Sequence, residues 1–523
     1  MSVNLRRSST PSAVRVSSSS CSGDTSEISL LRAQIFSNVQ RVEFELFVRD
    51  TLKFEDATYN RIRNALALTP YIWSDQLSTT GNIPLGGEPS IYAPLITLYD
   101  RVRTWLPQAV GLQSATSLTF LDTSATPLHD SSTARKPDLT GVGDPIPHGV
   151  PSWKDVLVSW GVKHKFMSLF LPCLLTTSKA ISGVSNGLGS SSLAGSHDKQ
   201  ISPESPLEQL LGYCLEIISA QPHRRHTFGI LLWNWQMQLV YHGRSFILVA
   251  DQFDIRYDRL KLAVTIAALW TADLQVLGFH PRYTNVNGQR VDALYRVRAL
   301  MGRGASLLRA FRSTGGIVAI KFNYPPKSRE VEAQLLRRAQ DAGIPNIIRI
   351  IASEELDDTL AGFSPDLVAM LQRFELRQFR ILVLSPLCEP FTIITDLNVF
   401  KQSFIKLVVA HRALYEIGIL HCDVSIGNIM FDPIQQEPYL IDGDLGKFVS
   451  NLAGPASSHR TRTLPFMATD LLMDQPPPHI YRHDLESFFY VLIWMCVPNR
   501  CGWDVIKSIA EMEETKTLFF LKQ

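Results

Sequence analysis

The spacing of apolar side chains changes several times along this chain, and each change marks an element or a boundary. Residues 1–28 are Ser-rich and hold few large apolar side chains, so burial cannot offset the entropy of ordering them and a disordered tail is expected. Across 28–68, Leu30, Leu31, Ile35, Phe36, Val39, Phe44, Leu46 and Phe47 recur at helical spacing, which predicts one or two helices; 93–105 predicts another. Residues 135–142 and 153–163 are β-prone runs bounded by Pro and Gly, and predict two strands. A Ser/Gly-rich stretch, 176–206, reads as a flexible surface insertion because the β pattern resumes beyond it. A helix at 207–219, strands at 227–233 and 236–241, and a helix at 260–277 complete a first α/β unit, 29–285.

A second unit follows. Strands around Gly302 and Val318, a helix at 329–341 and strands near 347–351 and 379–384 predict a β-rich small lobe, 290–390. Mostly helical patterns then fill 391–523, including 404–420. The fold class expected is α+β: a small β lobe and a helical large lobe with a ligand cleft between them, preceded by an α/β region.

Composition narrows the function. A chain of 523 residues with 45% apolar content is too long for one core. A net charge of +2 gives no broad basic footprint, so nucleic acid is not an expected partner. Seven scattered cysteines lack paired C-x-x-C spacing and fit reduced thiols in an intracellular protein, cytoplasmic or nuclear. The start has no apolar signal segment, and the longest apolar run, 488–497, is too short to span a bilayer, so no membrane association is expected.

The chemistry concentrates near the C-terminal end. His421-Cys422-Asp423-Val424-Ser425-Ile426-Gly427-Asn428, followed by Asp442 behind a mostly apolar run, supplies what phosphoryl transfer from a metal nucleotide requires. Asp423 would orient the attacking hydroxyl, while Asn428 and Asp442 would hold Mg²⁺ against the phosphates. Val318-Ala319-Ile320-Lys321 matches the strand lysine that pairs nucleotide phosphates with a helix carboxylate, for which Glu332 is the first candidate and Glu330 the second. Gly302 and Gly304 are spaced as in a phosphate-covering loop, although Leu307 stands where the third glycine is usual. An isolated pair of glycines is more often a plain turn, and Asp423 and Asn428 could merely cap one. Asp484, on a helix expected at 483–492, would bond the backbone of the 421–428 loop, or serve as an N-cap.

These residues resemble the fungal-type protein kinase family, a divergent branch of the protein kinase-like superfamily. The likeness is carried by 135–139, 153–163, 221–254, 302–321, 421–428, 440–445 and 461–494. It implies ATP and Mg²⁺ as cofactors and a Ser/Thr or Tyr hydroxyl of a protein as acceptor. It also implies a restriction-endonuclease-like core before the lobes, in which Asp138 and Lys163 match an Asp…Glu-x-Lys arrangement while Gly161 stands at the second carboxylate. One acidic ligand is too few for a dedicated Mg²⁺ site, so that core is expected to be degenerate.

Other departures bear on activity. Cys422 replaces the arginine that would read an activation-loop phosphate, Gly443 stands where an aromatic is usual, and Asp470 replaces the glutamate that closes the activation segment. Few residues follow Val497, so a large lobe short at its C-terminus is expected. Two other readings follow: a pseudokinase that binds nucleotide as a scaffold, and a small-molecule phosphotransferase of the aminoglycoside or choline kinase sort. The 461–470 segment and the Asp484 helix speak against the latter.

Overall fold

The computed structural model describes residues 35, 37–69, 89–130, 134–144, 149–163, 205–233, 235–280, 292–296, 301–302, 304–312, 316–356, 360–451, 463–497, 503, 506 and 508–521. The expected tail at 1–28, and all but the last two residues of the insertion at 176–206, lie outside these.

The first unit is built on an eight-stranded mixed sheet. Its strands are β1 (Val39–Val42), β2 (Thr119–Asp122), β3 (Leu139–Val142), β4 (Val156–Lys163), β5 (His226–Trp233), β6 (Gln236–Gly243), β7 (Ile247–Ala250) and β8 (Phe253–Asp254). The order is β1-β7-β6-β5-β4-β3-β2, with β8 paired to β6. β4 and β5 run parallel, and the connection between them contains the helix Pro206–Ala220. That helix starts with a capping box in which the Ser205 side chain accepts from Glu208 N and the Glu208 side chain from Ser205 N.

Alternation explains why β5 reads as an unbroken apolar run. Phe228, Ile230 and Leu232 enter the core beneath the helices Pro89–Val110 and Arg259–Thr271, while Leu231 and Trp233 meet Leu210 and Leu211 on the opposite face. Gly229 allows the close approach there, since a Cβ would stand 2.9 Å from Leu210 Cδ1. Fully buried Arg224 ties the layers together: its guanidinium donates to the carbonyls of Val156, Leu157, His226 and Leu277 and to Gln221 Oε1.

Two expectations are corrected here. The opening at 28–68 is not all helix: β1 precedes the helices Phe44–Thr51 and Asp56–Leu68 and pairs in parallel with β7. The helix expected at 260–277 ends at Thr271, because Ala272 turns extended and Asp273 Oδ1 caps a separate turn at Val276 N. The strands expected around Gly302 are β9 (Asp292–Arg296) and β10 (Ser306–Phe311), which flank it.

With β11 (Ile317–Asn323), β12 (Arg349–Leu356) and β13 (Phe379–Ser385), these form a five-stranded antiparallel sheet ordered β12-β13-β11-β10-β9. The helix Glu332–Asp341 lays Leu335 and Leu336 into a core shared with the helices Leu397–Glu416 and Tyr481–Cys496. The result is a mixed α/β chain in which a small sheet precedes a mainly helical unit.

The connection between β12 and β13 does not stay with its own sheet. Its helix Pro365–Leu371 buries Leu367 and Leu371 in the first unit's core, and Phe374, just beyond the helix, joins them there. Ser364 donates from N and Oγ to Asp50 Oδ2 at 2.8 and 2.6 Å, and Lys53 Nζ donates to Gly362 O at 2.7 Å.

Candidate active site

The side chains singled out in the sequence converge where the small sheet meets the helical unit. On β11 the alternation sends Ile320 and Phe322 to one face, and Ala319, Lys321 and Asn323 to the face covered by the Glu332 helix. Lys321 Nζ lies 2.8 Å from Glu332 Oε2, 2.7 Å from Asp442 Oδ1 and 3.0 Å from Asp444 Oδ2.

Asp442 reaches this point because its strand is anchored on both sides. The strand Glu437–Leu440 is held by Leu440 N donating to Asn346 O and Ile348 N to Leu440 O, and Asn346 Nδ2 donates to Glu437 and Pro438. Two residues on, Asp442 takes a left-handed backbone, φ 63°, which an L-residue holds at a cost of about 1–3 kcal/mol. Gly443 N then donates to Glu332 Oε1 at 2.9 Å, and a Cβ at 443 would stand 3.3 Å from Glu332 Cγ. The space left for a side chain at 443 is correspondingly small.

The electrostatics follow from this packing. Burial opposes charge on Lys321, but Asp442, Asp444 and Glu332 outweigh it and hold the ammonium well above its ordinary pKa. Burial lifts the Glu332 carboxyl well above the usual carboxylate range, and repulsion from Asp444 and Asp442 adds to this against the attraction of Lys321. One oxygen from each of Glu332, Asp442 and Asp444 lies within 4.8 Å of the others. Three carboxylates around one ammonium leave an excess negative charge that a divalent cation or a proton on Glu332 would relieve. The oxygen-only donor set suits Mg²⁺.

This balance gives a test. Lys321→Met is expected to cost about 1–3 kcal/mol, limited because Glu332 can keep its proton, and added Mg²⁺ should raise the variant's melting temperature more than the wild type's. Equal responses to Mg²⁺ would count against a cation site here.

The loop after the short strand Ile419–Leu420 supplies the second half of the site. Asn428 Nδ2 donates to Asp423 O at 2.8 Å and to Asp423 Oδ2 at 3.1 Å, which commits the amide nitrogen to that carboxylate. Ile441 N donates to Asn428 O, so the loop lies beside the segment carrying Asp442. His421 is buried, and desolvation holds its imidazole below the ordinary histidine pKa. Its Nε2–H donates to Ile441 O at 2.9 Å while Nδ1 accepts from Asp423 N at 3.3 Å, the pattern of a neutral ring that positions the loop.

Asp484 sits under this loop with no exposed side-chain surface. Its Oδ2 accepts from His421 N and Cys422 N, each at 3.2 Å, and from His411 Nε2 at 2.8 Å; its Oδ1 accepts from His479 Nε2 at 2.7 Å. Burial would raise this carboxyl, but the bonds from His411 and His479 prevail and hold it well below the usual range. Asp484 is not the N-cap of its helix; Ile480 holds that place, with its N donating to His483 Nδ1. Cys422, also left-handed at φ 63°, is fixed in that conformation by the Asp484 contact.

Asp470 forms an ion pair with Arg482, and Thr469 N donates to Glu486 Oε1 at 2.7 Å, which ties the end of the 463–472 segment to the Asp484 helix. The helix Ile509–Leu521 reaches the same segment through Lys516, whose Nζ donates to Met467 O.

Not every expected residue joins the cluster. Gly302 and Gly304 lie toward the first unit: Gly302 N approaches Arg244 O at 3.5 Å, and a Cβ on Gly304 would meet Arg244 Cζ at 2.5 Å. Both have positive φ, 103° and 48°, so glycine is required for the turn itself. Asp138 immediately precedes β3 and Lys163 ends the adjoining β4, but Asp138 is spent on structure, accepting from Tyr92 OH at 2.8 Å and Val162 N at 2.7 Å. Residues 461 and 462, which open the 461–470 segment, lie outside the described residues.

Two members of the cluster were not picked out from the sequence. Asp444 completes the carboxylate trio, and Asn323 donates to it through Nδ2 at 2.6 Å. The Asp442-Gly443-Asp444 spacing carried a signal for the first. Asn323 carried one only in sharing the strand parity of Lys321.

No curated protein matches the chain. Among solved structures, the Cydia pomonella granulovirus kinase PK-1 is similar at 14% identity and a TM-score of 0.29, covering 39% of this chain and 70% of that one. The fungal protein kinase family profile matches residues 192–369 and 366–496, which is more than half of the sequence. The chain belongs to the fungal protein kinase family.

Proposed function

We propose that this chain is an active protein kinase, moving the γ-phosphoryl group of ATP to a Ser/Thr or Tyr hydroxyl of a protein with Mg²⁺. The observation that carries this is Lys321 joined at once to Glu332 and Asp442, with the Asp423–Asn428 loop held alongside. The domain reading that goes with it is a small lobe at 290–390 and a large lobe at 391–523, with the nucleotide between them. The first unit, 29–285, is then a degenerate nuclease-like scaffold, a reading supported by the structural use of Asp138 and by Gly161 in place of an acid.

Each side chain has a role in this reading. Lys321, oriented by Glu332, binds phosphate oxygens; Asp442 and Asn428 ligate the metal; Asp423, hydrogen-bonded by Asn428, orients the acceptor hydroxyl and takes its proton. Bound Mg·ATP supplies the transferable phosphoryl group and the charge that neutralises its oxygens. His421, neutral and turned to Ile441 O, fixes the loop and is not the base. Gly302 and Gly304 cover the phosphates in this scheme while their turn leans on the first unit.

Incubation with labelled ATP and Mg²⁺ against panels of proteins, aminoglycosides and choline tests the reading. Label transfer to protein alone supports it. Transfer to a small acceptor instead would assign a small-molecule phosphotransferase, and nucleotide binding without turnover would favour the scaffold. Among the described residues no helix is long and apolar enough to cross a membrane, and an intracellular protein remains the reading that the scattered cysteines support.

A further inference from the structure

Lys516 is fully buried, although lysine seldom is and desolvating its amine is costly. It lies on the helix Ile509–Leu521, and its side chain reaches aromatic rings: Nζ stands 3.6 Å from the centre of the Tyr490 ring and 5.5 Å from that of Trp503. Trp503, itself fully buried, meets Tyr490 and Phe519 edge to face, with ring centres 5.4 and 5.5 Å away. Burial pushes the Lys516 amine down to about 7, against the pull of Glu486. An apolar side chain would fill this place without that cost. What the amine adds is a hydrogen-bond donor, and it donates to Met467 O.

Met467 lies in the 463–472 segment, whose turns Leu464–Phe466 and Thr469–Leu472 bury Phe466, Leu471 and Leu472. The helix Tyr481–Cys496 holds the same segment. Its Glu486 Oε1 accepts from Thr469 N at 2.7 Å, Thr469 Oγ1 at 3.0 Å and Tyr490 OH at 2.6 Å. Tyr490 therefore serves both holds: its hydroxyl joins Glu486 and Thr469, and its ring face meets Lys516. That helix also carries Asp484, which anchors the loop bearing Asp423. One helix thus sets the place of the segment and of the loop together.

We propose that Lys516 is a positioning residue: by holding Met467 O it fixes the 463–472 segment relative to Asp423, and so governs how a protein acceptor is presented. The acceptor rests on the kinase reading above; the hold on the segment stands apart from it.

Lys516→Met keeps an unbranched apolar stem and removes the donor, which makes it the test. Hydrogen exchange of the full chain should quicken about fivefold or more at the protected amides of 464–472. Exchange in 317–323 and 421–428, and the calorimetric Kd for Mg·ATP, should match the wild type. With labelled ATP and a protein acceptor from the panel, KM for the acceptor should rise about tenfold while KM for ATP holds. Wild-type exchange rates in 464–472, faster exchange throughout the chain, or an unchanged KM for the acceptor would each overturn the role. A wild type without turnover would instead sink the kinase reading and leave the exchange rates to decide Lys516. Should melting show the variant unfolded, wild-type exchange in sub-denaturing urea decides: the amides of 464–472 and 509–521 should open in one step, and separate opening would overturn the hold.

Discussion

Asp442→Asn is expected to reduce phosphoryl transfer by about 10³-fold, the order lost when one charge-stabilising group is removed from a transition state, and to leave the fold standing. The side chain is 31% exposed and is shared between Lys321 and the Asp444 amide, so an amide of the same size keeps its place. What disappears is one negative charge facing the proposed metal, at the one carboxylate of the trio that solvent reaches. Turnover measured with labelled ATP, beside a melting curve, separates the two effects. A variant that melts like the wild type and still turns over at the wild-type rate would remove Asp442 from the chemistry.

Asp484→Asn is expected to be the more damaging change to stability. The carboxylate accepts four hydrogen bonds with no exposed side-chain surface. An asparagine presents one acceptor oxygen and turns an NH₂ group toward donors. Breaking a buried charged cluster of this kind costs about 3–5 kcal/mol, and the 421–428 loop loses its anchor, so turnover should fall with stability. The pH dependence has a definite sign. The folded-state pKa lies well below the unfolded value of about 3.9, so this contribution is present above that value and is lost as pH falls below it. The stability gap between wild type and Asp484→Asn should therefore hold from neutral pH to about 4 and narrow on further acidification. Chemical denaturation across that range measures it, and a gap that widened in acid would contradict the assignment.

The parts of the site legible in the sequence were those fixed by local spacing. His421, Asp423 and Asn428 lie on one loop, Lys321 follows an apolar β run, and Glu332 opens a helix whose buried side chains could be counted forward. The 421–428 loop and the lysine strand were therefore located before any contact was known. Asn323 could not be read this way, because its partner Asp444 is remote in the chain and only the crossing of β11 over the Asp442 turn brings them together. β1 escaped for a related reason: Gln40 and Arg41 break any apolar alternation, and the strand exists by pairing with a strand some two hundred residues away. The Gly302–Gly304 turn shows the limit of motif reading, since the same positive-φ glycines serve a loop that leans on Arg244. The helix at 365–371 had no signal for its destination; amphipathic spacing says that a face is buried, not which core receives it.

That helix has a consequence for how the protein holds together. A boundary drawn near residue 290 would run through a shared interior, because Leu367, Leu371 and Phe374 belong by sequence to the second unit and by packing to the first. Severed there, each fragment would carry a raw oily face. The first unit is thus less an appended module than a wall of the house in which the smaller sheet stands, and loosening one half should soften the other.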